Sequence, residues 1–148
     1  MNILTIKEKK RITAMLQEEY GISSLPYTLI QFGKERLKIF SGDFDRDTLV
    51  KLDHTVRIEQ AGLYVAREHD GGLRLTIDGV HFFHALIQKN VLEISVDQMK
   101  SWLSGENLDI PAEKGFVVLK HGDDFLGCGK SSGNVILNSI PKERRLRG

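Results

Sequence analysis

The sequence contains a single cysteine, only three prolines and no apolar run long enough to cross a lipid bilayer. Because Cys128 has no second cysteine to pair with, an internal disulfide is excluded and a reducing environment is expected. The first residues, MNILTIKEKKR, lack the apolar core of a secretory signal. These absences argue against a disulfide-stabilised secreted domain and a helical membrane protein, and they predict a cytoplasmic location.

The chain also has little net charge, because 21 Lys and Arg are balanced by 20 Asp and Glu to give +1. A balance this even does not by itself indicate a nucleic-acid-binding protein. The positive charge is locally concentrated, however. From Phe125 to the last residue, one acid, Glu143, stands among the basic residues Lys130, Lys142, Arg144, Arg145 and Arg147. Phosphates would be drawn to such a cluster.

The remaining composition is that of a soluble globular protein. The 148 residues are 41% hydrophobic and 28% charged, which fits one domain of ordinary size or one domain with a small appendage. In the first third, apolar periodicity predicts a helix over 6–20 that ends at Gly21. Strands are predicted over 27–33 and 35–42, close enough to form a hairpin, and a short helix over 43–53.

The middle of the chain predicts further short elements. Residues 56–67 and 73–79 are typical of strands, and 68–72 of the turn between them. The apolar run in 81–90 fits either a strand or a buried helical turn.

A helix is predicted to begin at Ser95, which has the capping-box spacing with Gln98, and to end at Gly105. Its apolar stripe is predicted to be Val96, Met99 and Leu103.

The closing segment, 115–148, adds an apolar strand, a turn, a strand carrying Gly127, Gly129 and Lys130, and a further strand before the basic tail. Many short strands with a few helices predict an α+β fold containing a small mixed barrel. The change of character near His54 predicts two units packed together, a small α/β lead-in domain over 1–53 and a second domain over 54–148.

The order of these signatures resembles the C-terminal PUA-like RNA-binding domain of the Sun/Fmu-type RNA cytosine-5 methyltransferases. The resemblance rests on hydrophobic-Gly-x-Gly-Lys, Asn and Pro-Lys-x-x-Arg in the closing segment, and on AGLYVAREHDGGLRLTIDG at 61–79. It spans roughly 55–148 and implies a PUA-like mixed β pseudobarrel that binds RNA. It does not imply methylation, because the family's methyltransferase domain has no counterpart in these residues.

The first unit, 1–53, is similar in architecture alone to the lead-in domains that precede PUA domains in ribosome-biogenesis factors. That similarity implies that the unit either docks a protein partner or extends the RNA-binding surface.

Several basic residues are candidates for RNA contact. The strongest are Lys130, which follows the two glycines, and the tail residues Lys142, Arg144 and Arg145. For the glycines, the alternative to a groove that admits RNA is that they allow the barrel to close, with Lys130 merely solvated. For the tail, the alternative is a mobile terminus.

Four further residues are weaker candidates. Arg67 and Arg74 flank the predicted 68–72 turn and either face RNA or form surface ion pairs. Lys120 lies beside the acids Asp123 and Asp124, which would repel RNA. Asn138 either offers its amide to a base or holds a turn.

Signals for enzymatic chemistry are weak. Cys128 lies between two glycines with no partnered base in view, so a small buried thiol is the better interpretation. His81 and His84 have helical spacing but lack further ligands for a metal site. Asp124 replaces the first glycine that a P-loop requires, and no glycine-rich strand-to-helix turn is present for S-adenosylmethionine or a dinucleotide. Neither an enzyme nor a cofactor is predicted.

The sequence therefore predicts a non-catalytic RNA-binding protein that recognises structured tRNA or rRNA in RNA modification or ribosome assembly. The alternative is a protein adaptor that acts in trans with an RNA methyltransferase lacking its own PUA-like domain. A small-molecule enzyme is the third hypothesis, which a pocket of strongly perturbed titratable groups would support.

Overall fold

The computed structural model describes residues 2–25, 27–40, 62–69 and 71–146, and within them the strands form two sheets. The first sheet is antiparallel and has the order β1 (Asn2–Ile3), β2 (Thr28–Phe32), β3 (Arg36–Phe40), β4 (Leu63–His69) and β5 (Gly72–Leu75). The second has the order β6 (Val91–Glu93), β7 (Gly115–His121), β8 (Asp124–Ser131) and β9 (Ile136–Leu137). It is mixed, because β6 runs parallel to β7 while the other pairs are antiparallel.

The described residues also form the α-helices α1 (Ile6–Tyr20), α2 (Ile77–Phe83) and α3 (Val96–Leu103). Two short 3₁₀ helices, His84–Leu86 and Lys142–Arg144, complete the regular structure. None of the described helices is both long enough and apolar enough to cross a membrane.

Helix α1 has the bounds predicted from its apolar periodicity. Thr5 caps its first turn by a reciprocal pair of hydrogen bonds with Glu8, so two otherwise unpaired backbone groups are satisfied. Gly21 ends it in the left-handed conformation, with φ of 73°. The buried face carries Ile12, Leu16 and Tyr20 toward the first sheet. The prediction of a helix over 6–20 that ends at Gly21 is confirmed.

Strands β2 and β3 form the predicted hairpin. In β3, Leu37 and Ile39 are buried, whereas Arg36 is exposed and Lys38 half-buried, as the period of two requires. The helix predicted over 43–53, and the part of the predicted 56–67 strand before residue 62, lie outside the described residues.

The strand predicted over 73–79 is wrong after Leu75. Leu73 and Leu75 are buried as expected, but the hydroxyl of Thr76 accepts a hydrogen bond from the Gly79 N–H and caps α2, so Ile77 begins a helix. The turn predicted over 68–72 is shorter, because β4 runs to His69 and β5 begins at Gly72. Of the two alternatives for 81–90, the helical one is correct through residue 86.

Helix α3 begins at the predicted capping box, in which Ser95 and Gln98 exchange hydrogen bonds. Its apolar face differs from the predicted stripe. Trp102 is fully buried, Met99 and Leu103 pack beside it, and Val96 is exposed. The helix is capped by Ser104, and Gly105 follows with a positive φ of 97°.

Among the described residues, two hydrophobic clusters form the interior. One packs α1 and α2 against the first sheet and also takes in Val118 and Cys128 from the second sheet. The other surrounds Trp102 with residues of β7, β8 and the segment after β9. This mixed α+β arrangement confirms the predicted fold class and is consistent with the PUA-like pseudobarrel that the resemblance implies.

The predicted division at residues 53 and 54 lies outside the described residues and stays a prediction. Strand β3 of the first predicted unit pairs with β4 of the second, so the two predicted units share one sheet.

Gly79 provides a test of how α2 packs on β4. A Cβ at this position would overlap the carbonyl oxygen of Val65 and lie 2.8 Å from its carbon. Helix propensity alone would make Gly79→Ala stabilising by about 0.5–1 kcal/mol, but overpacking costs about 1–3 kcal/mol. We expect a net loss of stability in denaturant unfolding. A variant as stable as the parent would contradict this packing.

Candidate nucleic-acid interface

A concave surface at the join between the two sheets brings together three predicted site residues, Arg74, Lys130 and Asn138. Arg74 of β5 and Lys130 of β8 line one cavity of about 170 Å³. We call this cavity the basic groove, and its lining consists of His69, Arg74, Phe116, Lys130, Leu137, Asn138 and Ser139. None of these described lining residues is Asp or Glu. The groove therefore has the electrostatic character of an anion-binding site.

Strand pairing positions the side chains of the groove. Phe116 lies directly opposite Lys130 in the β7–β8 ladder, so the two side chains leave the same face of the second sheet. His69 closes the end of the β4–β5 hairpin, where it lies opposite Gly72. The His69 and Phe116 rings meet edge to face with their centroids 6.4 Å apart. An aromatic wall thus stands beside the two cationic side chains.

A row of arginines extends from the groove across the first sheet. Arg36, Arg67 and Arg74 are direct cross-strand partners on β3, β4 and β5, and they therefore share one face. With neighbouring strands about 4.8 Å apart, the row spans roughly 10 Å. We call these three residues the arginine row.

The carboxylate of Glu35 contacts Arg67, the middle residue of the arginine row. This carboxylate accepts hydrogen bonds from Arg67 at 2.6 and 2.8 Å, and this partnership raises the pKa of Arg67. The ion pair is surface-exposed, so it holds the guanidinium in place without contributing much stability.

A second, smaller cavity adjoins the basic groove. Its volume is about 80 Å³, and Arg74 and Ser139 line both cavities. The hydroxyl of Ser139 donates a hydrogen bond to the carbonyl oxygen of Cys128, which ties the segment after β9 to β8. Pro141 also lines this cavity, so the basic tail begins close to Arg74.

The glycines of β8 do not floor an RNA-binding groove, and that interpretation is wrong. Gly127 and Gly129 are buried and face Trp102. A Cβ at position 129 would lie 2.7 Å from Cη2 of Trp102, so the glycine makes room for the indole ring. The alternative, that the glycines serve the packing of the barrel, is the one the structure shows. Lys130 points to the other side of the strand, into the basic groove.

Lys120 lies apart from the basic groove, beside Phe125, whereas Asn138 lines the groove together with Lys130. The ammonium of Lys120 lies 5.5 Å from the ring centroid of Phe125, four residues or about 13 Å along β7 from Phe116. The amide nitrogen of Asn138 donates to the carbonyl oxygens of Trp102 at 2.8 Å and Glu106 at 2.9 Å. Both amide protons of Asn138 are therefore engaged, as in the alternative in which it holds a turn.

The three tail candidates are not gathered at one point. Arg144 forms an ion pair with Asp78 at 3.0 Å, near the start of α2. Arg145 donates from Nε to the carbonyl oxygen of Ile140 at 3.0 Å and packs against Gly105. Lys142 is exposed in the last 3₁₀ helix. Only the start of the tail, at Pro141, borders the cavity that Arg74 lines.

Cys128 is a buried packing group. Burial raises the pKa of its thiol to about 11, and its sulfur lies 3.5 Å from the hydroxyl of Tyr20. A thiol with a raised pKa in an apolar site is a poor nucleophile. His81 and His84 each engage a backbone carbonyl oxygen, and no three His, Cys, Asp or Glu side chains of the described residues are placed to bind a metal ion.

The C-terminal part of the chain is similar to a known family. Residues 89–146 match the family described as the methyltransferase RsmF PUA domain. Because of this similarity, we call residues 89–146 the PUA-like domain. The PUA-like domain contains Phe116, Lys120, Lys130 and Asn138, whereas Arg67 and Arg74 lie before it in the chain.

The similarity continues beyond the PUA-like domain. Proteins named ribosomal RNA small subunit methyltransferase F are 27% identical over 140 residues in Shewanella oneidensis and 31% identical over 146 residues in Psychromonas ingrahamii. These alignments cover 93% and 94% of the chain but 28% and 29% of the relatives. Coverage this complete includes the β4–β5 hairpin, so both sides of the basic groove lie in the shared region.

The sequence did not identify His69 and Phe116, which line the basic groove, or Tyr64, which lines the smaller cavity beside it, as site residues. The sequence contained a signal for Phe116, because pairing a strand over 115–121 with one over 124–131 places Phe116 opposite Lys130. His69 and Tyr64 enter the site only because the first sheet packs beside the second.

The buried thiol gives a pH-dependent prediction. A Cys whose pKa is raised in the folded state ionises first in the unfolded chain, so stability falls as pH rises from about 8.5 toward about 11. We expect unfolding by denaturant to show this loss, about 3 kcal/mol at most from one thiol. In Cys128→Ala the loss between the same two pH values should be smaller, because only other groups such as Tyr20 remain to cause it. An equal loss in both proteins would contradict the assignment.

Proposed function

We propose that this chain binds ribosomal RNA through the basic groove and the arginine row, as a binding module and not as a catalyst. The observation that carries the proposal is the placement of Arg74 and Lys130 in one cavity that no described acid lines. The two cations come from different sheets, so their proximity is a property of the fold.

The groove suits the phosphate backbone of RNA. Arg offers a planar fork of donors that matches phosphate oxygens, and Lys offers a compact positive charge. The arginine row extends this surface by roughly 10 Å, so that several phosphates can be neutralised along one path. An RNA chain on this path would run from Arg36 past Arg67 to Arg74 and into the basic groove.

The choice of ribosomal RNA follows from the relatives, whose names state that they methylate RNA of the small ribosomal subunit. The chain spans less than a third of their length, and its match includes the PUA-like domain. A role in positioning ribosomal RNA for modification is therefore favoured over transfer RNA binding, because the names of the relatives mention ribosomal RNA and not transfer RNA.

A second candidate is the adaptor that acts in trans with an RNA methyltransferase. Phe82 and Leu86 are 38% and 46% exposed one helical turn apart, and Tyr27 meets Phe82 edge to face at 5.2 Å. Exposed apolar side chains in a group are a feature of protein-binding surfaces. Under this hypothesis a methyltransferase would co-purify after nuclease treatment and would be lost in Phe82→Ser. Under the leading proposal, RNA bridges the two proteins, so nuclease treatment would release the methyltransferase.

The basic groove is tested by removing both of its predicted cations. We expect Arg74→Ala combined with Lys130→Ala to weaken binding to a small-subunit ribosomal RNA fragment by roughly 10- to 100-fold, because two charge-assisted contacts are lost. Fluorescence anisotropy at several salt concentrations measures the effect. With about four phosphates neutralised, log affinity should fall with log salt at a slope of roughly −3 in the parent protein. The slope should become shallower by about one for each phosphate contact removed.

The matched control is Lys10→Ala combined with Lys100→Ala, which removes the same charge from exposed positions on α1 and α3. This variant should keep the affinity of the parent within about twofold. An affinity independent of salt, or an equal loss in both double variants, would show that net charge or another surface governs binding.

The basic tail gives a separate prediction. Replacing Lys142, Arg144 and Arg145 by Ala should weaken RNA binding less than the groove pair does, although it removes one more charge. The physical reason is that the three tail side chains are not gathered at one point, because Arg144 pairs with Asp78 and Arg145 donates to the Ile140 carbonyl oxygen, whereas Arg74 and Lys130 share one cavity. The same anisotropy titrations decide the order. A larger loss from the tail would move the main contact surface away from the groove.

A further inference from the structure

The ring of Phe116 stands between the basic groove and a larger pocket. That pocket has a volume of about 370 Å³, and its lining includes Glu19, Asn90, Leu92, Ala112 and Lys114 together with Phe116. Because Phe116 also lines the basic groove, the two cavities share one aromatic wall. A ligand too long for either cavity could occupy both by crossing this ring.

Two polar side chains of the larger pocket, Glu19 and Asn90, are held in place by hydrogen bonds to the backbone. One carboxylate oxygen of Glu19 accepts the N–H of Leu73 at 2.9 Å, and partial burial raises the pKa of Glu19. The amide of Asn90 donates to the carbonyl oxygen of Glu19. Gly72 lies between the Glu19 carboxylate and the Phe116 ring, where a Cβ would be 2.5 Å from the first and 3.1 Å from the second. The absence of a side chain there lets both groups approach the hairpin.

The two cavities differ in charge. The basic groove carries Arg74 and Lys130 without a described acid in its lining, whereas the larger pocket contains Glu19 and Glu113 beside Lys114. A phosphate is attracted to the first and repelled by the carboxylates of the second. A neutral group with N–H donors suits the second, because carboxylates are acceptors. Charge therefore fixes which end of a nucleotide would enter which cavity.

The volumes agree with this division. Pockets for small organic ligands are usually about 300–1,000 Å³, a range that contains the larger pocket but not the basic groove of about 170 Å³. The groove is therefore of a size for one phosphate group, and the larger pocket is of a size for a base with its sugar.

We propose that Phe116 is the stacking platform for one unpaired nucleotide of the bound RNA, with its phosphate at Arg74 and Lys130 and its base in the larger pocket. This inference rests on the proposed function and assigns it a substrate class, RNA with at least one unpaired base. Unpaired bases are the parts of RNA that proteins most often hold against aromatic rings. A duplex would reach only the basic groove and the arginine row.

The test compares Phe116→Leu, which keeps an apolar side chain but removes the aromatic ring, with Phe116→Tyr, which keeps the ring. The probes are a short single-stranded RNA of mixed sequence, the duplex that it forms with its complement, and a fully abasic strand of the same length. We expect Phe116→Leu to weaken single-strand binding roughly 5- to 100-fold, the range of one base–aromatic stack. Binding to the duplex and to the abasic strand should change by less than about twofold, and Phe116→Tyr should bind all three like the parent.

Phe82→Leu is the matched control, because it makes the same change at an exposed ring that lines neither cavity. If Phe116→Leu fails to fold, crosslinking of the unaltered protein tests whether a base contacts Phe116. Single-stranded RNA containing 4-thiouridine should crosslink to the peptide carrying Phe116, and a crosslink confined to other peptides would overturn the inference.

The outcomes separate the two proposals. Normal single-strand binding by Phe116→Leu, with loss in the Arg74 and Lys130 double variant, would overturn the stacking inference and leave the proposed function standing. Unchanged binding in both variants would overturn both.

Discussion

The packing of Trp102 against the glycine face of β8 is the contact on which the rest of this structure depends. The indole N–H donates to the carbonyl oxygen of Leu126 at 2.9 Å, and the ring fills the space that Gly127 and Gly129 leave free. A strand alternates its side chains, so seating the tryptophan on one face sends Cys128 and Lys130 to the other. The second core thereby fixes which way the lysine of the basic groove points.

The opposite face of β8 is what joins the two sheets. Cys128 enters the first hydrophobic cluster, where its sulfur meets the hydroxyl of Tyr20, and the same hydroxyl donates to the carbonyl oxygen of Leu73. Three elements, α1, β5 and β8, are thus held together at one buried point. Arg74 and Lys130 lie just beyond it, so the basic groove owes its geometry to apolar packing more than to any contact between its own side chains.

Local sequence signals predicted much of the fold, but they predicted few of the residues that lie together in the basic groove. The capping box at Ser95 and the glycine at position 21 gave reliable helix ends, because each depends on a few adjacent residues. The alternation of Leu73 with Leu75 continued in pattern to Ile77, yet Thr76 capped a helix there. The apolar pattern alone could not distinguish a strand from a helix at Ile77, because one apolar residue at this spacing fits the end of a strand and the start of a helix equally well.

By itself, the sequence determined the α+β class, the bounds of α1, the hairpin of β2 and β3, and the resemblance to a PUA-like domain. Only the tertiary structure decided which basic residues share a surface. In the sequence, Lys130 and Arg144 belong to one basic cluster, but folding places Lys130 beside Arg74 and Arg144 against Asp78. The physical reason is that the residue type determines the sign of a charge. Which side chains surround that charge depends on sheet pairing and core packing between segments far apart in the chain.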